Sequence, residues 1–238
     1  KAAEQYQAVA PGVAVTVSAG GSGVGIRNAA AGLAEIGMAS RDVTETERKL
    51  FGARGVRATV IGRDAVAAVV SRPVWDGGVH ALSLDQLRRI YAGEIADWKA
   101  AGGAPAPILV VDKEAARGTR HVFMAAVFGN EMAKAAGARI ITGANNEMYG
   151  AVARSRGAIG LLSFAWGDEQ VKALAIRTPK GDVLPSAESI RDGRYPIARD
   201  LLLVTVAQPT PETEAFLAYM LGPAGQRVVK DSGYVPVR

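Results

Sequence analysis

Three turns in this sequence combine small residues, hydroxyl groups and arginines, which together form the chemistry that binds a small anion. They are Gly20-Gly21-Ser22-Gly23, Ala39-Ser40-Arg41-Asp42 and Arg117-Gly118-Thr119-Arg120. Each turn follows an apolar run and precedes a helical pattern, so each is predicted to lie at the start of a helix. Free N–H groups and the positive end of the helix dipole attract anions there. Glycine also lets a ligand approach the backbone closely.

Each turn by itself also fits a plainer interpretation. A single Ser22 or Thr119 is equally consistent with an ordinary helix N-cap, and the arginines with solvated surface charges. Lys113 and Glu114 fit a surface pair of little energy. Three such turns in one chain, all predicted where strands end, favour an oxyanion site.

The elements that must position these turns alternate between short apolar strands and amphipathic helices. This alternation predicts an α/β protein with largely parallel sheets covered by helices. Two fully apolar runs, 65–70 and 201–206, require burial on both faces, and we expect them to be neighbouring strands that cross between two lobes. The predicted strands are 13–17, 36–39, 57–61, 65–70, 108–111, 158–162 and 201–206, and the predicted helices are 22–33, 44–51, 84–91, 117–128, 148–155, 188–192, 212–221 and 224–231.

Composition argues against several classes of protein. The net charge is +5, but the positive residues are spread along the chain without a basic run, which disfavours nucleic-acid binding. Cysteine is absent, so neither a disulfide nor a thiolate metal site can form. We find no catalytic motif of a hydrolase, zinc protease or P-loop enzyme, and predict neither enzyme activity nor a metal or cofactor. His80 lies in an apolar context, and His121 follows the third turn without an evident catalytic partner.

Two Gly- and Ser-containing stretches lie near the start of the chain, Val17-Ser-Ala-Gly-Gly-Ser-Gly-Val-Gly-Ile26 and Ile36-Gly-Met-Ala-Ser-Arg41. They resemble the phosphate-binding proteins of ABC transporters, and further stretches do so in the order in which that family has them. Leu82-Ser-Leu-Asp-Gln-Leu with Ile90-Tyr-Ala-Gly-Glu-Ile-Ala-Asp-Trp98 is similar to a second family segment, and Asp112-Lys-Glu-Ala-Ala-Arg-Gly-Thr-Arg120 is similar to its anion loop. The resemblance covers nearly the whole chain.

The resemblance implies a type II periplasmic-binding-protein fold of two α/β lobes, with two hinge-crossing strands and a ligand cleft between the lobes. The first lobe would hold residues 1–70 and 204–238, and the second residues 71–203. Inorganic phosphate would be delivered to the permease subunits of an importer, by an exported monomer on the periplasmic or extracellular side of the membrane. The implied ligand residues are Ser22, Gly23, Ser40, Arg41, Arg117, Gly118 and Thr119, with Lys113, Glu147 and Arg120 as further candidates.

Departures from the family pattern leave alternatives open. Arg117 replaces a serine of the anion loop, and Ser40 stands where a carboxylate is common. Without that carboxylate another oxyanion such as sulfate or molybdate becomes an alternative ligand, unless Asp42 or Glu147 substitutes. The same fold could also serve as an anion sensor, or as the effector domain of a transcription regulator, although no helix-turn-helix pattern supports the latter.

The beginning of the chain also departs from the family pattern. The family has a strand and a hydroxyl-bearing turn ahead of the helix that residues 1–9 resemble. We expect residues ahead of Lys1, such as those that follow a signal peptide, or another segment to supply them.

Overall fold

The computed structural model describes residues 1–18, 20–115 and 117–237, with Ala165 described by its backbone only. Ala19 and Ala116 fall within two of the family-like stretches and lie outside the described residues. The chain forms two compact units, residues 1–64 with 199–238 and residues 65–198. Among the residues described, no helix is both long and apolar enough to cross a membrane.

Helices and strands alternate along the chain, joined in places by short 3-10 turns. The helices are α1 (Ala2–Val9), α2 (Ser22–Ala31), α3 (Glu45–Leu50), α4 (Arg72–Asp76), α5 (Leu84–Ala92), α6 (Gly118–Phe128), α7 (Asn145–Ala153), α8 (Ala187–Arg191), α9 (Pro211–Leu221) and α10 (Pro223–Asp231). The strands are β1 (Gly37–Ala39), β2 (Val56–Ser71), β3 (Ala81–Ser83), β4 (Leu109–Lys113), β5 (Ala138–Thr142), β6 (Ala158–Ser163), β7 (Val171–Ala173), β8 (Ala175–Thr178), β9 (Gly181–Val183), β10 (Ala198–Val206) and β11 (Val235–Pro236).

In the first unit, β1 pairs antiparallel with β10, which in turn lies beside β2. Helix α2 packs so closely on β1 that neither contact residue could carry a side chain. A Cβ on Gly25 would lie 2.7 Å from the Met38 carbonyl oxygen, and one on Gly37 would lie 2.4 Å from the Gly25 carbonyl oxygen. This close approach fixes the start of α2 relative to the end of β1.

The core of the first unit has two apolar clusters. One cluster joins α2 to the strands, and the other lies beneath α9 and α10, where Tyr6 meets Phe216 edge-on with ring centroids 5.1 Å apart. Large buried members of the two clusters are Ile26, Phe51, Val204, Leu203, Leu217 and Met220.

The strand predicted at 13–17 is absent: residues 13–18 belong to no strand, and the Val17 side chain is 63% exposed. The alternating pattern of this segment suits a strand, but a strand forms only where a neighbouring strand accepts and donates its ladder hydrogen bonds. Among the described residues, this segment makes a turn hydrogen bond, from the Val13 N–H to the Ala10 carbonyl oxygen, and no strand ladder.

The strands predicted at 57–61 and 65–70 are one continuous strand, β2. The interruption in the apolar pattern, Arg63-Asp64, coincides with two ion pairs to β10. Arg63 donates to Asp200 at 2.7 Å, and Arg199 donates to Asp64 at 3.2 Å. The charges therefore bind the neighbouring strand and do not end β2.

The sheets of the second unit are mixed, whereas the sequence pattern predicted largely parallel ones. Strands β4, β5 and β6 are parallel, but β6 and β7 both pair antiparallel with the second half of β2. A small separate sheet has the order β3-β8-β9. The two apolar runs lie in neighbouring strands of one sheet, 65–70 in β2 and 201–206 in β10. On their other sides, Val66–Val70 pair with β6 and Leu202–Val204 pair with β1.

Candidate functional site

In the first unit, two of the predicted turns meet at the start of α2. Ser22 opens this helix after Gly21, whose backbone is extended and which offers no capping side chain. The Ser22 hydroxyl oxygen accepts the backbone N–H of Ser40 at 3.1 Å, and the two hydroxyl oxygens are 3.4 Å apart. The first N–H groups of α2 therefore lie beside two serine hydroxyls, an arrangement suited to an anion.

Arg41 lies beside these serines and is held by a carboxylate. Its two terminal nitrogens each donate to one oxygen of Glu47 at 2.8 Å. A Cβ on Gly23 would lie 3.4 Å from Nη2 of Arg41, so the guanidinium is close to the start of α2. The hydrogen bonds from Arg41 lower the pKa of Glu47 to about 2.

In the second predicted turn, a capping box occupies two of the N–H groups at the start of the helix that follows it. The Thr44 hydroxyl accepts the Glu47 N–H, and the Glu47 carboxylate accepts the Thr44 N–H, which closes the start of α3. Two of the donors that we expected to face a ligand are therefore bonded within the protein. Ser40 and Arg41 thus belong with the start of α2.

In the second unit, α6 begins at Gly118 after Arg117, without a side-chain cap. Arg117 and Gly118 are exposed and Thr119 is half-buried, so the free donors of this helix start can reach a ligand. The Arg117 guanidinium is paired with Glu114, with Nη2 and Oε2 2.7 Å apart. Glu114 therefore pairs with Arg117 and not with Lys113, which the plainer interpretation of this loop had offered as its partner.

Lys113 is buried at the end of β4, beneath this loop. Lys113 is 2% exposed, and its Nζ lies 3.4 Å from the Gly143 carbonyl oxygen. Burial, and then the nearby Arg117 charge, lower the pKa of Lys113. A buried ammonium with one long hydrogen bond is a strong donor available to an anion.

Glu147 lies at the start of α7 and faces the same group of residues. Its Oε2 accepts the N–H of Gly143 at 2.7 Å and that of Ala144 at 3.2 Å. These backbone bonds lower the pKa of Glu147, and they cap α7. A Cβ on Gly143 would lie 2.8 Å from Nη2 of Arg117 and 3.2 Å from Oε2 of Glu147, so glycine keeps the two charged groups close.

Arg120 faces the interior and not this group. Its Nε donates to Asp112 at 3.0 Å and its Nη2 to the Ala133 carbonyl oxygen at 2.7 Å. The side chains of Arg120 and Asp112 are only 6% and 3% exposed. The geometry favours a role for Arg120 in holding α6 on β4.

The remaining candidates have other contacts. His121 contacts the Ala115 carbonyl oxygen at 2.7 Å, and His80 contacts that of Trp75 at 3.0 Å. Asp42 is exposed, and its carbonyl oxygen accepts a bond from Arg41.

Sequence reasoning missed the carboxylates that hold the two arginines, Glu47 and Glu114. The Thr44-x-x-Glu47 spacing is a capping-box signal that could have marked Glu47 as ordered. No sequence signal marks Gly143, because its closeness to Arg117 and Glu147 depends on the pairing of β4 with β5.

The α/β fold, with an uncapped helix start beside an arginine in each unit, is typical of a substrate-binding protein of the periplasmic type. The model of the PBP superfamily domain matches residues 1–224, and the chain belongs to this superfamily. Within this superfamily, the chain belongs to the family of PstS phosphate-binding proteins. The phosphate-binding protein PstS of Bacillus subtilis is 32% identical over 239 residues, covering 99% of this chain and 75% of that protein.

Solved structures agree with this assignment. An ABC-type phosphate transport receptor from Vibrio cholerae is 28% identical with a TM-score of 0.81, covering 98% of this chain and 93% of that one. A Clostridium perfringens protein, named as a phosphate ABC transporter substrate-binding protein and solved with bound phosphate, is 30% identical with a TM-score of 0.68. That match covers 100% of this chain and 93% of the other.

Proposed function

We propose that this protein binds inorganic phosphate and delivers it to the permease of an ABC-type phosphate importer. The relatives named as phosphate-binding proteins and the Clostridium perfringens structure with bound phosphate support this function. Its role is capture and delivery of an anion, without chemical change to the ligand.

The observation that carries the proposal is a shared arrangement in the two units. Each unit has an uncapped helix start, a hydroxyl residue and an arginine held by a neighbouring glutamate. Uncapped N–H groups and guanidinium groups are the donors that recognise phosphate. The glutamates hold the arginines in place before a ligand arrives, which lowers the ordering cost of binding.

We further propose that the two compact units are the two lobes of the binding protein, and that the loops of both lobes bind one phosphate. The donors would be Ser22, Gly23, Ser40, Arg41, Arg117, Gly118 and Thr119, with Lys113 as an additional cation. The protein would act as a monomer on the outer side of the membrane, where it meets the permease subunits.

Calorimetric titration of the purified protein with phosphate, sulfate and molybdate tests the ligand. Phosphate binding with the other two anions at least 100-fold weaker is the expected result, and tighter binding of sulfate or molybdate would refute it. Those two anions are the second candidate ligands, because Ser40 provides no carboxylate to accept a proton from the ligand.

Substitution of Arg117 tests the loop of the second unit. Arg117→Ala removes charge-assisted hydrogen bonds worth about 1.5–3 kcal/mol, so phosphate affinity should fall about 10- to 150-fold. Arg154→Ala is the matched control, because Arg154 is an exposed arginine at the other end of α7. Equal phosphate affinity in the two variants would contradict the assignment of Arg117.

Glu147 is proposed to accept the proton of monohydrogen phosphate. Its carboxylate lies beside Arg117 and Lys113 and keeps a lowered pKa, so it is ionised at neutral pH. Sulfate has no proton to donate and would face this charge unfavourably. Glu147→Gln should therefore narrow the preference for phosphate over sulfate at least tenfold, and an unchanged preference would exclude this role.

A further inference from the structure

A small apolar pocket lies in the second unit among residues that take no part in the loops described above. Its volume is about 180 Å³, and its walls include Val74, Val79, Trp98, Ala104 and Ala106. Val74, Val79 and Trp98 are themselves 5%, 3% and 1% exposed, so they form the inner wall. Dry apolar cavities of about 150 Å³ take up one benzene molecule. The pocket thus has room for one six-membered ring.

The walls of this pocket are fixed by hydrogen bonds. The Trp98 indole N–H donates to the Gly157 carbonyl oxygen at 3.0 Å, which holds the ring in one orientation. The backbone N–H of Trp98 donates to the Ala106 carbonyl oxygen at 2.9 Å, and that of Ala104 donates to Gly77 at 2.8 Å. A ligand would therefore meet a preformed surface, with little ordering of the protein on binding.

One cation belongs to the lining. Arg156 is exposed, lies between α7 and β6, and contributes to the pocket. Within the described part of the chain, its guanidinium has no carboxylate or carbonyl partner. Most other arginines of this unit are paired, among them Arg72 with Asp76 and Arg177 with Asp182. An unpaired guanidinium beside an apolar pocket is complementary to a carboxylate on an apolar body.

We propose that this pocket is a second ligand site, which binds a small aromatic monocarboxylate. The ring would lie against Trp98 and the valines, and the carboxylate would accept two hydrogen bonds from Arg156. Phosphate does not fit this chemistry, because apart from Arg156 the walls are apolar and cannot replace the water around a doubly charged anion. The site is independent of the proposed phosphate site, since the two share no residue.

Nuclear magnetic resonance of the indole N–H groups tests the proposal, with benzoate as the probe. The chain has three tryptophans, so the variants Trp75→Phe and Trp166→Phe identify the Trp98 signal by elimination. Titrations are made with saturating phosphate present, which keeps the proposed phosphate site filled. Benzyl alcohol supplies the ring without the charge, and acetate supplies the charge without the ring.

Benzoate is expected to shift the Trp98 signal saturably, with benzyl alcohol at least tenfold weaker and acetate without effect. Arg156→Gln should reduce benzoate affinity to that of benzyl alcohol, whereas Arg154→Gln should leave it unchanged. The proposal is overturned if benzoate leaves the Trp98 signal unmoved, if benzyl alcohol binds as tightly as benzoate, or if the Arg156 and Arg154 variants bind benzoate equally. Unfolding temperatures of both variants equal to the parent confirm that the comparison concerns binding.

Discussion

Replacement of Arg120 by methionine distinguishes a structural arginine from a ligand-binding one. Arg120 is one of the residues that the anion-loop resemblance offers as a phosphate ligand, yet its guanidinium lies in the interior. It donates to the Asp112 carboxylate at 3.0 Å and to the Ala133 carbonyl oxygen at 2.7 Å. Methionine keeps much of the side-chain length while removing the charge and both donors.

The expected cost follows from the burial of the pair. Breaking a buried ion pair from one side typically costs about 3–5 kcal/mol, because the remaining charge loses its partner. The side chains of Asp112 and Arg120 are 3% and 6% exposed, so water cannot replace the lost bonds. For a chain of this size the change should lower the unfolding temperature by roughly 6–20 °C. This loss is a large part of a typical stability of about 5–15 kcal/mol.

Calorimetric unfolding and phosphate titration, both on the purified variant, provide the measurement. The double variant Asp112→Asn/Arg120→Met is the control, because it leaves no unpaired carboxylate in place of the ion pair. The asparagine side-chain oxygen can still accept the backbone N–H of Lys113, which Asp112 Oδ1 accepts at 2.8 Å. This variant should recover much of the lost stability. Well below its unfolding temperature, Arg120→Met should bind phosphate within about threefold of the parent. A normal unfolding temperature combined with a phosphate affinity more than tenfold weaker would refute the structural role.

Three further perturbations test the first unit. Glu47→Gln removes the pair with Arg41 and should cost about 1–2 kcal/mol at pH 7, the pair being partly screened by solvent. Because folding lowers the pKa of Glu47 to about 2, this contribution is present above about pH 4.5 and is lost as the pH falls to about 2. Urea unfolding at several pH values would show this, and a pH-independent difference would contradict it. Gly25→Ala should destabilise the protein by about 1–3 kcal/mol in the same assay, because the methyl group meets the β1 backbone at 2.7 Å; a neutral result would show that α2 can move. A double-mutant cycle on Arg63 and Asp200 should give a coupling of about 0.5–1 kcal/mol that weakens with salt, and no coupling would mean that the pair is not formed in solution.

Several elements are determined by local sequence. The helix predicted at 84–91 is α5, Leu84–Ala92, and its capping box between Ser83 and Gln86 is formed within the segment itself. The strand predicted at 201–206 falls within β10, since a short apolar run that ends in the β-branched residues 204–206 favours a buried strand. The start of α6 at Gly118 likewise follows from the turn that precedes it. Periodicity, capping and turn residues act over a few residues, so the sequence shows them directly.

Only the tertiary structure decided which segments pair as strands and which residues each charged side chain contacts. The segment 13–17 has the pattern of a strand but no ladder among the described residues, because a strand depends on what lies beside it. Arg117 and Arg120 are three residues apart, at the cap and in the first turn of α6, yet one guanidinium is exposed and the other is buried against Asp112. The sequence alone marks both as cations beside a glycine turn. Which of them can meet a ligand depends on how α6 packs on β4, and that packing joins residues distant in the chain.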